Sequence, residues 1–203
     1  MNFLEEKILT TGVIKEGNIL KVDSFLNHQI DIDIMRQMAY EFKRRFRGVE
    51  VNKVLTIEAS GIAIATLLGD LPGVFARKSQ TANSTDDKYI SHAYSFTHKK
   101  LNDVFISKPY LHATDKVLIV DDFLADGEAA HALIDLVKQA GGEIAGIGIA
   151  IEKGQQKGGA MLRKEGYQVE SIAIIESMDW QTQTIHFRSQ EEKPLLSTNL
   201  QAI

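Results

Sequence analysis

The chain of 203 residues has no cysteine. Structural disulfides and thiolate metal sites are therefore excluded, and nothing points to an oxidising compartment. No apolar run is long enough to span a bilayer, and the opening MNFLEEKILTTG is acidic and amphipathic rather than a signal peptide. Positive charge is the scarcer sign. With Lys and Arg at 23 against 27 for Asp and Glu, the net charge is −4, which disfavours broad electrostatic binding to nucleic acid. The six histidines show no metal-ligand spacing and read as surface or packed residues. There is no internal repeat and no low-complexity segment. These absences lead us to expect a soluble cytoplasmic protein with no nucleic-acid or membrane partner. Apolar residues make up 44% of the chain, enough for a real core, and the length suits one domain over residues 1–203.

The most informative stretch runs from Lys116 to Ala130, KVLIVDDFLADGEAA. Its apolar β-branched start suits a strand buried on both faces, Val117 to Asp121. Asp121 and Asp122 stand where that strand should end. A small-residue loop, Phe123 to Ala129, follows, and then a helical pattern through Ala130, Leu133, Ile134 and Val137. A buried strand, a small loop and a helix N-terminus make an anion site, because free backbone N–H groups and the helix dipole point to one spot. Gly127 permits close backbone approach, and Ala125 and Ala129 keep the rim low. The competing structural reading is a strand–turn–helix capped by Asp126.

Taken in order, residues 2–11 read as a short helix with Phe3, Leu4, Ile8 and Leu9 inward. Residues 18–26 are β-prone. Asp31 or Asp33 caps a helix to about Phe46, whose last-turn cations Lys43, Arg44, Arg45 and Arg47 complement the dipole and read as a solvated helix end. Residues 53–57 form a buried strand, followed by the loop Glu58-Ala59-Ser60-Gly61 and a helix over 62–68. Ser60 is not in a G-x-S-x-G elbow and reads as a helix N-cap. Residues 73–78 form a strand ending in Arg77 and Lys78. Residues 79–90 are polar and aperiodic, a loop long enough to suggest function or mobility. Two alternating segments, 91–97 and 102–107, suit a hairpin. After the signature, Gly141-Gly142 ends the helix, 143–152 is a strand, 154–165 a Gly-rich turn and helix, and 167–175 a strand. Residues 184–187 add a last strand, and the chain frays after Pro194. Gly146 and Gly148 imitate a dinucleotide fingerprint, but no third Gly and no immediate helix follow.

Alternating strands and helices predict an α/β fold, a mostly parallel central sheet flanked by helices. Ligands on such sheets sit beyond the carboxyl ends of the strands. Glu58–Gly61, Asp121–Ala129 and Lys153 all fall at such ends.

The signature, together with KVDSFLNHQID, EASGIA, FARK and QAGGEIAGIGIAIEK, resembles the type I phosphoribosyltransferases, within them the branch that uses xanthine. The common phosphate loop of the family is rich in Thr. Here it is Ala-Asp-Gly-Glu-Ala, hydroxyl-poor and doubly acidic, similar to the Ala-containing loops of that branch. The resemblance implies transfer of a phosphoribosyl group from phosphoribosyl pyrophosphate to xanthine, giving xanthosine 5′-monophosphate and pyrophosphate, with guanine as a further substrate. By the same resemblance, Asp121 and Asp122 lie along the ribose hydroxyls. Ala125, Asp126, Gly127, Glu128 and Ala129 hold the 5-phosphate. Ala59, Ser60 and Gly61, with Arg77 and Lys78, hold the pyrophosphate. Leu20, Asn27 and Lys153 hold the base. It further implies Mg²⁺ carried mainly by the co-substrate, a homodimer, a core over about 48–180, a hood built from both terminal segments, and a flexible loop over about 79–100. Two rivals remain: a hypoxanthine/guanine or adenine enzyme, and a non-catalytic regulator that senses phosphoribosyl pyrophosphate. The regulator is disfavoured because the sheet domain starts too early to leave room for an amino-terminal DNA-binding domain.

Overall fold

The computed structural model describes residues 1–69, 71–78, 87–95 and 100–190. The segments expected to be the flexible loop and the frayed tail fall largely outside these residues. Helix α1 (Phe3–Thr11) opens with a capping box. Asn2 accepts from the N–H groups of Leu4 and Glu5, and Glu5 reaches back to the N–H of Asn2. A small hairpin follows, β1 (Val13–Lys15) paired with β2 (Ile19–Lys21). The expected strand over 18–26 is cut short, because Asp23–Asn27 winds into a π-helical turn. Phe25 and Leu26, adjacent in sequence, are both buried there, which a strand with alternating faces would not allow.

Helix α2 (Ile32–Arg45) is capped by Asp31, whose carboxylate also takes Lys7 at 2.9 Å. Its basic end is not the solvated run expected from sequence. Arg45 is 10% exposed, holding Glu41 at 2.7 Å and donating to the carbonyl oxygen of Ser171 at 2.7 Å. The helix is thereby tied to the sheet.

The main sheet comprises β3 (Lys53–Ile57), β4 (Gly73–Ala76), β7 (Lys116–Leu124), β8 (Glu143–Lys153), β9 (Val169–Asp179) and β10 (Thr184–Phe187), in the spatial order β10-β9-β8-β7-β3-β4. All neighbours are parallel except β10, which returns antiparallel to β9. The run Val117 to Val120 alternates between two cores. Leu118 and Val120 join α2 and α3 (Gly61–Leu67) on one face, while Val117 and Ile119 join α4 (Glu128–Ala140) on the other. Both faces are buried, so the strand reads as an unbroken apolar run rather than an alternation.

Gly146 and Gly148 have a packing reason. A Cβ at Gly146 would lie 2.4 Å from the Phe46 ring, and one at Gly148 would lie 2.9 Å from that of Phe42. Both rings are fully buried, and each contributes roughly 1.5–3 kcal/mol.

Strands β5 (Lys88–Ser95) and β6 (Lys100–Ser107) form the expected hairpin, longer than its alternation suggested. Residues 88–90, expected in the polar loop, are the start of β5. A short 3-10 turn (Lys108–Tyr110) leads into β7, and α5 (Gly158–Lys164) links β8 to β9. The amino-terminal hairpin is tied to the turn after β9, with Gln183 donating to the carbonyl of Ile14 and the N–H of Trp180 to Asn18 Oδ1. No helix of the described residues is long and apolar enough to cross a membrane.

Candidate active site

The sheet order sets β8, β7 and β3 side by side, so the three strand-end features converge. The chain moves from β3 outward to β4, then returns through β7 and continues to β8 and β9 on the other side. The crevice between β3 and β7 is a topological switch point, where open α/β sheets bind ligands.

Strand β7 runs three residues beyond Asp121, pairing Phe123 with Ile151 and Leu124 with Glu152. The two acids therefore lie within the strand, not at its end as the sequence suggested. Asp121 is 6% exposed, and Asp122 is half-buried. Burial pushes the Asp121 carboxyl well above the usual carboxylate range, the neighbouring Asp122 charge adds to this, and Lys78 opposes it.

At the end of β3, Glu58, Ala59 and Ser60 lead into α3, with a cis peptide between Glu58 and Ala59. Ser60 stands at the N-cap position, but its hydroxyl does not cap the helix. It accepts from Nδ2 of Asn27 at 2.9 Å instead. The same amide donates to Oδ2 of Asp122 at 2.5 Å. One side chain on the π-helical turn thus joins the candidate pyrophosphate loop to a candidate ribose acid. Gly61 is required by closeness, since a Cβ there would lie 2.0 Å from Thr56 Oγ1. Beside this loop, the N–H of Lys78 donates to Glu58 Oε1 at 2.5 Å, and Arg77 pairs with Phe105 through both backbone groups. Among the described residues, Nε of Arg77 is buried without a hydrogen-bond partner.

The loop after β7 ends at Gly127, whose φ of +92° makes the left-handed turn into α4. No side chain caps this helix, so Asp126 does not play the capping role. The first-turn N–H groups have no intrahelical acceptor. Helix α4 ends at Gly141, left-handed as expected.

Lys153 closes β8, with its ammonium 5.9 Å from the centre of the Phe123 ring. Leu20, the third base-site candidate, lies on β2 and is buried in the same apolar cluster as Phe25 and Leu26, against which Phe123 packs.

Sequence reasoning missed what supports these residues. Glu152, 2% exposed, receives a two-pronged ion pair from Arg163 at 2.9 and 2.7 Å and the hydroxyl of Ser171 at 2.5 Å. Burial alone would push Glu152 up, but Arg163 and Ser171 outweigh it and hold the carboxyl below the usual range. Gly158, read only as part of a turn, brings α5 against the signature loop. Its N–H donates to Ala125 O at 3.1 Å, and a Cβ there would lie 2.4 Å from that oxygen. The Gly158-Gly159 pair was the available signal.

A central, mostly parallel sheet with a β7 loop opening α4 and acids near the switch point defines an α/β protein with a ligand crevice at the carboxyl ends of its strands. The chain belongs to the phosphoribosyltransferase family: residues 21–192 match its phosphoribosyl transferase domain. It is 54% identical over 183 residues to xanthine phosphoribosyltransferase 2 of Clostridium botulinum, covering 88% of this chain and 96% of that one. It is 50% identical over 193 residues to xanthine phosphoribosyltransferase of Bifidobacterium adolescentis, covering 93% and 100%. Among solved structures, adenine phosphoribosyltransferase of Thermoanaerobacter pseudethanolicus shares the fold, with a TM-score of 0.69 at 22% identity, over 84% of this chain and 98% of that one.

Proposed function

We propose that the protein joins xanthine to phosphoribosyl pyrophosphate, releasing xanthosine 5′-monophosphate and pyrophosphate in purine salvage. The single observation that carries this reading is the adjacency of β8, β7 and β3, which sets Lys153 at the end of β8, the Asp121–Asp122 pair in the carboxyl-terminal part of β7 and the Ser60 loop after β3 on neighbouring strands. Identity of 54% over 88% of the chain and 50% over 93% of it to enzymes named for xanthine supports the choice of base.

In this reading the bond from ribose C1 to pyrophosphate loosens first, and positive charge develops on the sugar. Asp121 and Asp122 orient the ribose hydroxyls and favour that charge. Arg77, with its unpartnered buried Nε, and Lys78 receive the departing pyrophosphate. The base nitrogen attacks once held in line. Among the described residues no group of three or more His, Asp or Glu side chains could hold a metal ion, so Mg²⁺ would be carried mainly by the co-substrate. Such a cation would supply charge neutralisation on the pyrophosphate. An ammonium only donates, so Lys153 donates to the oxygen of a 6-oxo base and opposes the 6-amino group of adenine. Asn27 can meet a 2-oxo or a 2-amino group by turning its amide. We extend the proposal to a homodimer working in the cytoplasm, which light scattering of the purified protein and cell fractionation would check.

The test is nucleotide formation from xanthine, guanine, hypoxanthine and adenine. The expected order is xanthine, then guanine, then hypoxanthine, with adenine negligible. Good turnover of adenine would overturn the base assignment.

A further inference from the structure

Two successive glycines at the start of α5 face two different partners, and closeness selects glycine at each. Gly158 faces the signature loop. A Cβ on it would lie 2.4 Å from the carbonyl oxygen of Ala125, 2.6 Å from N of Gly127 and 2.8 Å from the carbonyl carbon of Asp126. All three are backbone atoms, which cannot swing aside as the end of a side chain can. Gly159 faces the end of β8. A Cβ on it would lie 2.0 Å from Oε1 of Glu152 and 2.8 Å from Nη1 of Arg163. The first turn of α5 thus fills the gap between loop and strand, with no room for a methyl group on either side.

The contact with the loop has a direction. The N–H of Gly158 donates to the carbonyl oxygen of Ala125 at 3.1 Å. The peptide joining Ala125 to Asp126 is trans and planar, so its N–H points opposite to its C=O. With the carbonyl turned toward α5, the N–H of Asp126 points away from it. That N–H meets no acceptor among the described residues. A free N–H in a loop that opens a helix is a donor for an anion.

Helix α5 is seven residues long, too short to hold its place unaided. Leu162 is fully buried, which sets the depth of the helix but not its rotation, because apolar burial has no direction. Arg163 supplies the direction. Its two Nη atoms donate to the two carboxylate oxygens of Glu152 at 2.9 and 2.7 Å, and a planar guanidinium held twice fixes angle as well as distance. Glu152 is itself fixed. It accepts from the hydroxyl of Ser171 at 2.5 Å and pairs along the sheet with Leu124 of β7 and Ile174 of β9. The end of β8 is therefore held without α5, whereas the rotation of α5 depends on β8.

We propose that Gly158 and Arg163 are positioning residues for the ribose 5-phosphate. Arg163, through Glu152, sets the rotation of α5, and Gly158 then holds the Ala125–Asp126 peptide with its N–H free for the anion. This rests on the reading of Ala125–Ala129 as the phosphate loop. Lys153, next to Glu152, pairs with Ile175 of β9, so the base site does not follow α5.

The test is calorimetric binding of ribose 5-phosphate to the full chain, at a temperature where circular dichroism shows wild type and each variant folded. Gly158→Ala and Arg163→Met should each weaken binding about tenfold, the loss of one hydrogen bond to a charged group. Arg163→Lys, which keeps one donor for Glu152, should recover part of that loss. The KM for phosphoribosyl pyrophosphate should rise with the dissociation constant, while the KM for xanthine stays unchanged. If Gly158→Ala folds poorly, the two Arg163 variants decide. Lower melting temperatures with unchanged affinity in the folded variants would make α5 merely structural, overturning the proposal and leaving the loop reading intact. Equal losses for xanthine and ribose 5-phosphate would overturn it in the same way. Failure of wild type to bind ribose 5-phosphate, or undiminished binding by Gly127→Val, would instead overturn the loop reading and this proposal with it.

Discussion

Nδ2 of Asn27 donates to Oδ2 of Asp122 at 2.5 Å, across 95 positions of sequence. This hydrogen bond occupies both a candidate base reader and a candidate ribose acid. Co-substrate hydroxyls that engage Asp122 must displace the amide, and displacement frees it for the base. Asn27→Ala should therefore leave the KM for phosphoribosyl pyrophosphate unchanged or lower it. It should also narrow the preference for xanthine over hypoxanthine by about tenfold or more, since Asn27, exposed here, would be covered by a bound base, and a polar group left unpaired there costs about 1–3 kcal/mol. Lys153→Ala should depress every 6-oxo base. Steady-state kcat/KM for the four bases with both variants decides it.

Gly127→Val should raise the KM for phosphoribosyl pyrophosphate at least tenfold with little change for xanthine. The position has φ of +92°, and a Cβ would stand 3.2 Å from Cα of Gly158. A β-branched residue both strains this turn and blocks approach to it. An unaltered KM in a folded variant would show that the phosphate binds elsewhere.

Asp121→Asn should stabilise the ligand-free protein at neutral pH while lowering kcat about 10²-fold. The folded carboxyl titrates well above its ordinary value because it is buried beside Asp122. A raised acid contributes most to stability below its unfolded value, and that contribution is lost as pH rises through the folded one. The neutral amide avoids this loss. Melting temperatures at about pH 5 and about pH 8 should show the variant's advantage growing with pH.

The Glu152–Arg163 pair makes the opposite prediction. A depressed carboxyl contributes stability that is complete above the usual glutamate value, about 4.3, and is lost as pH falls through the folded value. The gap in melting temperature between wild type and Glu152→Gln should close on acidification. Arg163→Met, which strands Glu152 at 2% exposure, should cost about 2 kcal/mol. That is below the range for a fully buried pair because Arg163 is 35% exposed and partly screened. A drop of roughly 4–8 °C follows.

The sequence by itself determined the strands of the main sheet and the doubly buried faces of its central strand. Val117–Val120 is apolar at every position, and only a doubly covered parallel strand hides all of them. Gly127 and Gly141 were equally legible, because local backbone geometry selects glycine there, whereas the acid pair was placed at a strand end although β7 runs on to Leu124. What the tertiary structure decided depends on separations the local pattern does not encode. The placement of β7 between β3 and β8 brings Ser60, Asp122 and Lys153 to one edge. The π-helical turn lets Phe25 and Leu26 bury together, and so carries Asn27 to Ser60 and Asp122. Arg45 looked like a solvated helix end until β9 supplied the carbonyl of Ser171. His131 looked like a surface histidine because its two hydrogen-bond partners are a backbone oxygen one turn back and a carboxylate 34 residues away on another helix. Periodicity reports which face of an element is apolar; only the packed sheet fixes which elements are neighbours, and hydrogen-bond partners follow from neighbours.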